Sequence, residues 1–165
     1  MEGDTTVILH AGPLSNRLAW WGELALAAEG AASGTQSGKS DRILIVEDDL
    51  LVASQMEAAL VDAGFGIVGI ATTGSEALRL AEAESPTLVV MDIRLADDRD
   101  GIDTALELFR LHGIRSIFAS AHSDQEARQR AMPASPLGWL QKPYTMASLT
   151  TIVRAALSEL RSQGD

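Results

Sequence analysis

From Asp41 onward, short solid apolar runs alternate with longer stretches in which apolar residues recur every three or four positions. Arg42-Ile43-Leu44-Ile45-Val46, Leu88-Val89-Val90-Met91-Asp92 and Ser116-Ile117-Phe118-Ala119-Ser120 are runs of the first kind, short enough and β-branched enough to read as buried strands. Gly66-Ile67-Val68-Gly69-Ile70-Ala71 reads as a further strand, softened by its two glycines, and Leu137 to Leu140 as a short fifth one. Between them lie helical patterns. Leu50, Leu51, Ser54, Met56, Ala59 and Leu60 are available to face a sheet before Gly64 stops the first helix. Thr73 or Ser75 caps a second, carrying Ala77, Leu78, Leu80 and Ala81. Gly101 opens a third through Ile102, Ala105, Leu106, Phe109 and Leu111, ended by Gly113. A polar helix spans Asp124 to Ala131, broken by Pro133 and Pro136. Thr145 caps the last, with Leu149, Ile152, Val153, Ala156, Leu157 and Leu160 on one stripe. Five strand–helix units imply an α/β fold: a doubly wound, five-stranded parallel sheet covered by helices on both faces.

In such a sheet, ligand chemistry collects just beyond the carboxyl ends of the strands. Those ends carry distinctive residues. The first strand runs into Glu47-Asp48-Asp49, the third ends in Asp92, the fourth in Ser120, and the fifth leads to Lys142. Taken singly, each has a plain reading: Asp92 could begin a loop, Asp49 could cap the next helix, Ser120 could sit in a turn, and Lys142 beside Pro143 could be a solvated lysine. Taken together they are the parts of phosphoryl transfer. Crowded acids repel unless a cation compensates, and a hard divalent ion with oxygen ligands, Mg²⁺, suits a few carboxylates plus phosphoryl oxygens. A carboxylate can attack phosphorus, a lysine can neutralise the transferred charge, and a hydroxyl can donate to it.

Composition narrows the class. The chain has 165 residues, 46% of them hydrophobic, enough for a real core. Its formal charge of −10 argues against nucleic-acid binding as the main task. It has no cysteine, so no disulfide framework or thiolate metal site, and its histidines, His10, His112 and His122, lack metal-ligand spacing. No apolar run reaches the roughly 18 residues of a membrane span. Glu2 and Asp4 stand where a signal peptide would be basic. The expectation is a cytoplasmic protein.

Residues 1–40 form an N-terminal extension of a different character. Ser15 could cap a short helix over about 16–28, with Leu18, Trp21, Leu24, Ala25 and Ala28 at helical spacing, followed by a Gly/Ser/Ala linker from Gly30 to Gly38. Adjacent Trp20 and Trp21 want a surface to cover, either the domain itself or a dimer or partner contact. Gly34-Thr35-Gln36-Ser37-Gly38-Lys39-Ser40 imitates a phosphate-binding loop but has three residues between its glycines where four are needed, and precedes a strand instead of a helix.

Residues 41 to about 161, about three quarters of the chain, resemble the receiver domain of two-component response regulators. The resemblance rests on Val46-Glu47-Asp48-Asp49, Met91-Asp92, Ala119-Ser120-Ala121 and Lys142-Pro143-Tyr144, in the family's order and spacing. It implies a flavodoxin-like (βα)5 fold over 41–161, with 162–165 a tail. It implies that Asp92 is the phosphoacceptor, that Glu47, Asp48, Asp92 and the backbone carbonyl of Arg94 hold Mg²⁺ (Asp48 directly, Glu47 through water), and that Lys142 pairs with the phosphoryl group. Ser120 matches the hydroxyl that follows that group on activation, and Trp139 falls at the aromatic switch position. Pro143 follows what is, in the family, usually a cis bond. The chain departs from the family at Ala96, where proline is frequent, in an acidic loop one residue longer than common, and in carrying tryptophan at the switch position. Leu95-Ala96-Asp97 followed by Gly101-Ile102-Asp103 looks like a branch frequent among alphaproteobacterial stand-alone regulators.

The function this implies is a stand-alone, bacterial response regulator: a self-phosphorylating signalling switch with slow autodephosphorylation, not a metabolic enzyme. Its partners would be a histidine kinase or histidine phosphotransfer protein and a downstream protein, with a homodimer a further option, and with neither nucleic acid nor membrane. Two alternatives compete. One is a phosphorylation-independent binding module acting through the N-terminal helix. The other is a Mg²⁺-dependent aspartyl-phosphate phosphatase, which would want a second acid two residues after the nucleophile, where this chain has Arg94.

Overall fold

A computed structural model describes residues 41–96, 99–121 and 125–164. The extension over 1–40, with its expected helix and linker, lies outside the described residues. Five parallel strands form one sheet: β1 (Arg42–Val46), β2 (Gly66–Ala71), β3 (Leu88–Asp92), β4 (Ser116–Ser120) and β5 (Gly138–Gln141), in the order β2-β1-β3-β4-β5. The helices between and after them are α1 (Leu50–Asp62), α2 (Gly74–Glu84), α3 (Gly101–His112), α4 (Gln125–Ala131) and α5 (Met146–Gln163), with a 3₁₀ turn over Met132–Ala134. No helix among the described residues is long and apolar enough to cross a membrane.

The solid apolar runs are explained by what lies on each side of the sheet. Side chains alternate along a strand, so a strand covered on both faces is apolar at every position. Ile43, Ile45, Leu88, Val90, Ile117 and Leu140 pack with Ala53, Met56 and Leu60 of α1 and Leu149, Val153, Ala156 and Leu157 of α5. Leu44, Val46, Val89, Met91 and Phe118 pack on the other side with Ala77 and Ala81 of α2 and Ile102, Ala105 and Leu108 of α3.

Three details differ from the sequence pattern. Leu50 and Leu51 do not face the sheet; they are 65% and 69% exposed. Asp49 caps α1, its side chain accepting from the backbone N–H of Leu51 and Val52, so the first turn stands past the end of β1 where there is no sheet left to cover. The fifth strand begins at Gly138, one residue after the apolar run does. The last helix continues to Gln163, because Arg115 donates to the side chains of Gln163 (2.9 Å) and Glu159 (3.1 Å) and holds its final turn.

Order reverses at β1, which has β2 on one side and β3 on the other. A crevice opens where the two connections leave in opposite directions, beyond the carboxyl ends of β1 and β3. Glu47 follows β1 and Asp92 ends β3.

Candidate functional site

Glu47 and Asp92 are carboxylates in an almost dry place, 2% and 7% exposed. Asp48, next in the chain, points to solvent. One carboxylate oxygen from each of the three lies within 4.8 Å of the others. Lys142, one residue past β5, reaches in from the far side of the sheet; its Nζ donates to Asp92 Oδ2 at 2.8 Å and to Glu47 Oε2 at 3.3 Å. The backbone N–H of Arg94 donates to Asp92 Oδ1 at 3.1 Å, and that of Asp49 to Glu47 Oε1 at 3.3 Å. Ser120, at the end of β4, lines the same cleft of about 700 Å³.

Helix α3 presses on this arrangement from behind. Gly101 begins it, and its N–H donates to the Ile93 carbonyl at 2.8 Å. A Cβ at Gly101 would lie 1.9 Å from the Asp92 carbonyl oxygen. Only glycine lets the helix come this close to the backbone that carries Asp92.

Burial and the neighbouring Asp92 push the Glu47 carboxyl above its ordinary range, against the opposing pull of Lys142. Burial alone would lower Lys142, but the hydrogen bond and charge of Asp92, and then Glu47, outweigh it and hold the ammonium above its usual value. Three carboxylates against one ammonium leave two negative charges (−3 + 1) in a confined space. The donor set is entirely hard oxygen, so it fits Mg²⁺ and would hold it through Glu47, Asp48 and Asp92. A larger hollow of about 1010 Å³ lies at the opposite edge, among Arg42, Glu84, His112 and Arg161. Its charges are already paired, Arg42 with Glu84 and Arg161 with Asp41, and the chemistry favours the smaller cleft.

Every cleft residue singled out in the sequence is therefore in one place: Glu47, Asp48, Asp92, Arg94, Ser120 and Lys142. Trp139 is not. It stacks on Phe118, its cross-strand neighbour, with ring centroids 4.8 Å apart, and the Arg128 guanidinium lies over the same ring at 4.9 Å. The Lys142–Pro143 bond is cis. The backbone donors of Arg94 and Asp49 and the Arg128 contact were not foreseeable from motifs. The first two depend on the turn after each strand, the third on how α4 settles.

The chain matches the response regulator receiver domain family over residues 43–154. It is 35% identical over 120 residues to the transcriptional regulatory protein PdtaR of Mycobacterium tuberculosis, covering 73% of this chain and 58% of PdtaR. It is 32% identical over 117 residues to the phyllosphere-induced regulator PhyR of Methylorubrum extorquens, covering 70% of this chain and 43% of PhyR. The chain thus spans about half the length of these relatives. Among solved structures it resembles the receiver domain of a modulated diguanylate cyclase from Desulfovibrio desulfuricans, with TM-score 0.69 and 30% identity over 76% of this chain and 99% of that one. A CheY-like receiver domain from Methanospirillum hungatei gives TM-score 0.70 and 25% identity over 76% and 99%. With the family's sequence match over most of the fold, and with the acidic pocket where receiver domains bind Mg²⁺, this chain belongs to the response regulator receiver domain family.

Proposed function

We propose that this chain accepts a phosphoryl group on Asp92 from a partner's phosphohistidine and thereby switches a protein-binding surface. The observation that carries the reading is the pairing of Lys142 Nζ with Asp92 Oδ2 at 2.8 Å inside a cluster of carboxylates. One Asp92 oxygen attacks phosphorus as the phosphorus–nitrogen bond of the donor breaks; the imidazole leaves with the electron pair and takes up a proton, and an acyl phosphate remains. The Arg94 N–H and Lys142 orient the nucleophile through its two oxygens. As the group arrives, Lys142 is released to the phosphoryl oxygens, and the Ser120 hydroxyl can donate to another. When bound by Glu47, Asp48, Asp92 and the Arg94 carbonyl, Mg²⁺ supplies the remaining charge neutralisation. Residues 41–161 form the unit that does this, working with a histidine kinase or histidine phosphotransfer protein upstream and a protein target downstream, in the cytoplasm.

The test is intact mass after incubation with acetyl phosphate, with and without Mg²⁺. The expected result is one phosphoryl adduct that requires Mg²⁺ and is absent in Asp92→Asn. An adduct of equal yield in that variant would place the acceptor elsewhere and end the proposal.

A further inference from the structure

Helix α4 is held in an unusual way. It has seven residues, and those it buries are two alanines, Ala127 and Ala131. Alanine removes little apolar area from water, so this face anchors the helix weakly. Two arginines flank Ala127 and Ala131 in sequence. They are two positions apart, which turns them to opposite sides of a helix. Arg128 lies over Trp139. Arg130 reaches the other way: its Nη2 donates to Asp100 Oδ2 at 2.7 Å and Asp103 Oδ1 at 3.2 Å. Asp100 is the N-cap of α3, its other oxygen accepting from the Asp103 N–H at 2.9 Å. The next residue is Gly101, the one pressed against the Asp92 backbone.

One chain of contacts therefore runs from the Asp92 backbone through Gly101 and Asp100 to Arg130, across α4, and through Arg128 to Trp139. We propose that Arg130 on Asp100/Asp103 and Arg128 on Trp139 are the two ends of a latch that holds α4 and Trp139 in the resting position. Its ease of opening sets how readily the chain switches. This rests on the reading of Asp92 as the phosphoacceptor only for its use, not for its existence. Both ends are exposed contacts of modest strength. A helix fastened this way sits at the low-stability end of the molecule, where a small movement behind Asp92 can tip it.

The test uses the full chain without any phosphodonor, with Trp20→Phe and Trp21→Phe so that emission reports Trp139. Arg130→Ala is expected to speed amide exchange in α4 about fivefold and to open Trp139 to acrylamide quenching, while protection in β1 and β3 stays as it was. Asp100→Asn keeps a competent cap but removes the charge, so it should reproduce the larger part of the effect, with the Asp103 contact left in place. Combining the two should add nothing. Arg130→Lys should restore part of the protection. Unchanged α4 exchange in Arg130→Ala, or additive effects in the double variant, would overturn the latch. So would equal acceleration across β1, β3 and α4, the signature of general destabilisation. None of these outcomes depends on phosphorylation, whose own failure would appear as the missing mass adduct.

Discussion

At the edge where the strands begin, each arginine has its own oxygen partners. Arg42 donates to the Glu84 carbonyl and carboxylate, Arg115 to Glu159, Gln163 and the Ser135 carbonyl, and Arg161 lies 3.7 Å from Asp41. At the edge where they end, Glu47, Asp48 and Asp92 crowd around one lysine that touches two of them. The first arrangement ties helix ends to strand ends and leaves little charge unmatched. The second is over-acidic, with Glu47 and Asp92 buried and Asp48 at its exposed rim, and its mutual repulsion favours a bound cation. The surplus of charge, not the size of the hollow, distinguishes the candidate site from the structural edge.

That contrast can be broken at four points. The largest effect is expected from Gly101→Ala, because its methyl would overlap the Asp92 carbonyl; a loss of about 3 kcal/mol in urea unfolding and a collapse of adduct formation should go together. Normal phosphorylation in this variant would mean that α3 does not fix Asp92. Next, Mg²⁺ at about a hundredfold above its Kd should stabilise the chain by about 2.7 kcal/mol, and Asp48→Asn should abolish most of that gain. Equal stabilisation of the variant would remove the acidic edge as the site of binding. Third, Lys142→Met leaves Glu47 and Asp92 buried without their cation; unfolding in chelator should show a loss of about 2 kcal/mol, shrinking when Mg²⁺ is added. The smallest effect belongs to the opposite edge. Arg42→Ala should cost about 0.5 kcal/mol, since its ion pair is some 40% exposed and screened, and thermal melts should show no difference in its response to Mg²⁺. A Mg²⁺-dependent change there would show that the two edges are not independent.

Much of this architecture was legible because two periods coexist in the chain. The solid runs at Ile43–Val46, Leu88–Met91 and Ile117–Ala119 could only be strands buried on both faces, and with the strands placed, their ends placed Glu47, Asp92, Ser120 and Lys142 along one edge. What periodicity does not carry is where a sheet stops. Leu50 continues the spacing of Ala53, yet it is exposed, in the first turn after the Asp49 cap. Nor does it carry which strands are neighbours: Phe118 and Trp139 stack only because β4 and β5 align them. The polar pattern that predicts the helix carrying Arg128 and Arg130 is silent about whether its charges find partners across a gap. The cluster of acids pointed to Mg²⁺, but the backbone donors that aim Asp92 and Glu47 came from turn geometry that side-chain motifs do not encode.

The bond between the Gly101 N–H and the Ile93 carbonyl closes the loop between them at its neck. A loop pinned at its neck can change in length and composition while its ends stay put, and the entropic cost of lengthening grows only with the logarithm of size, about 0.6 kcal/mol per doubling. The lengthened stretch between Arg94 and Asp100, the cap of α3, can thus vary while Asp100 and Gly101 stay fixed. Under the proposed function, insertions and charge reversals there would alter which protein recognises the acidic edge without displacing Asp92, leaving recognition and chemistry free to diverge separately within the eight residues from Asp92 to Asp100.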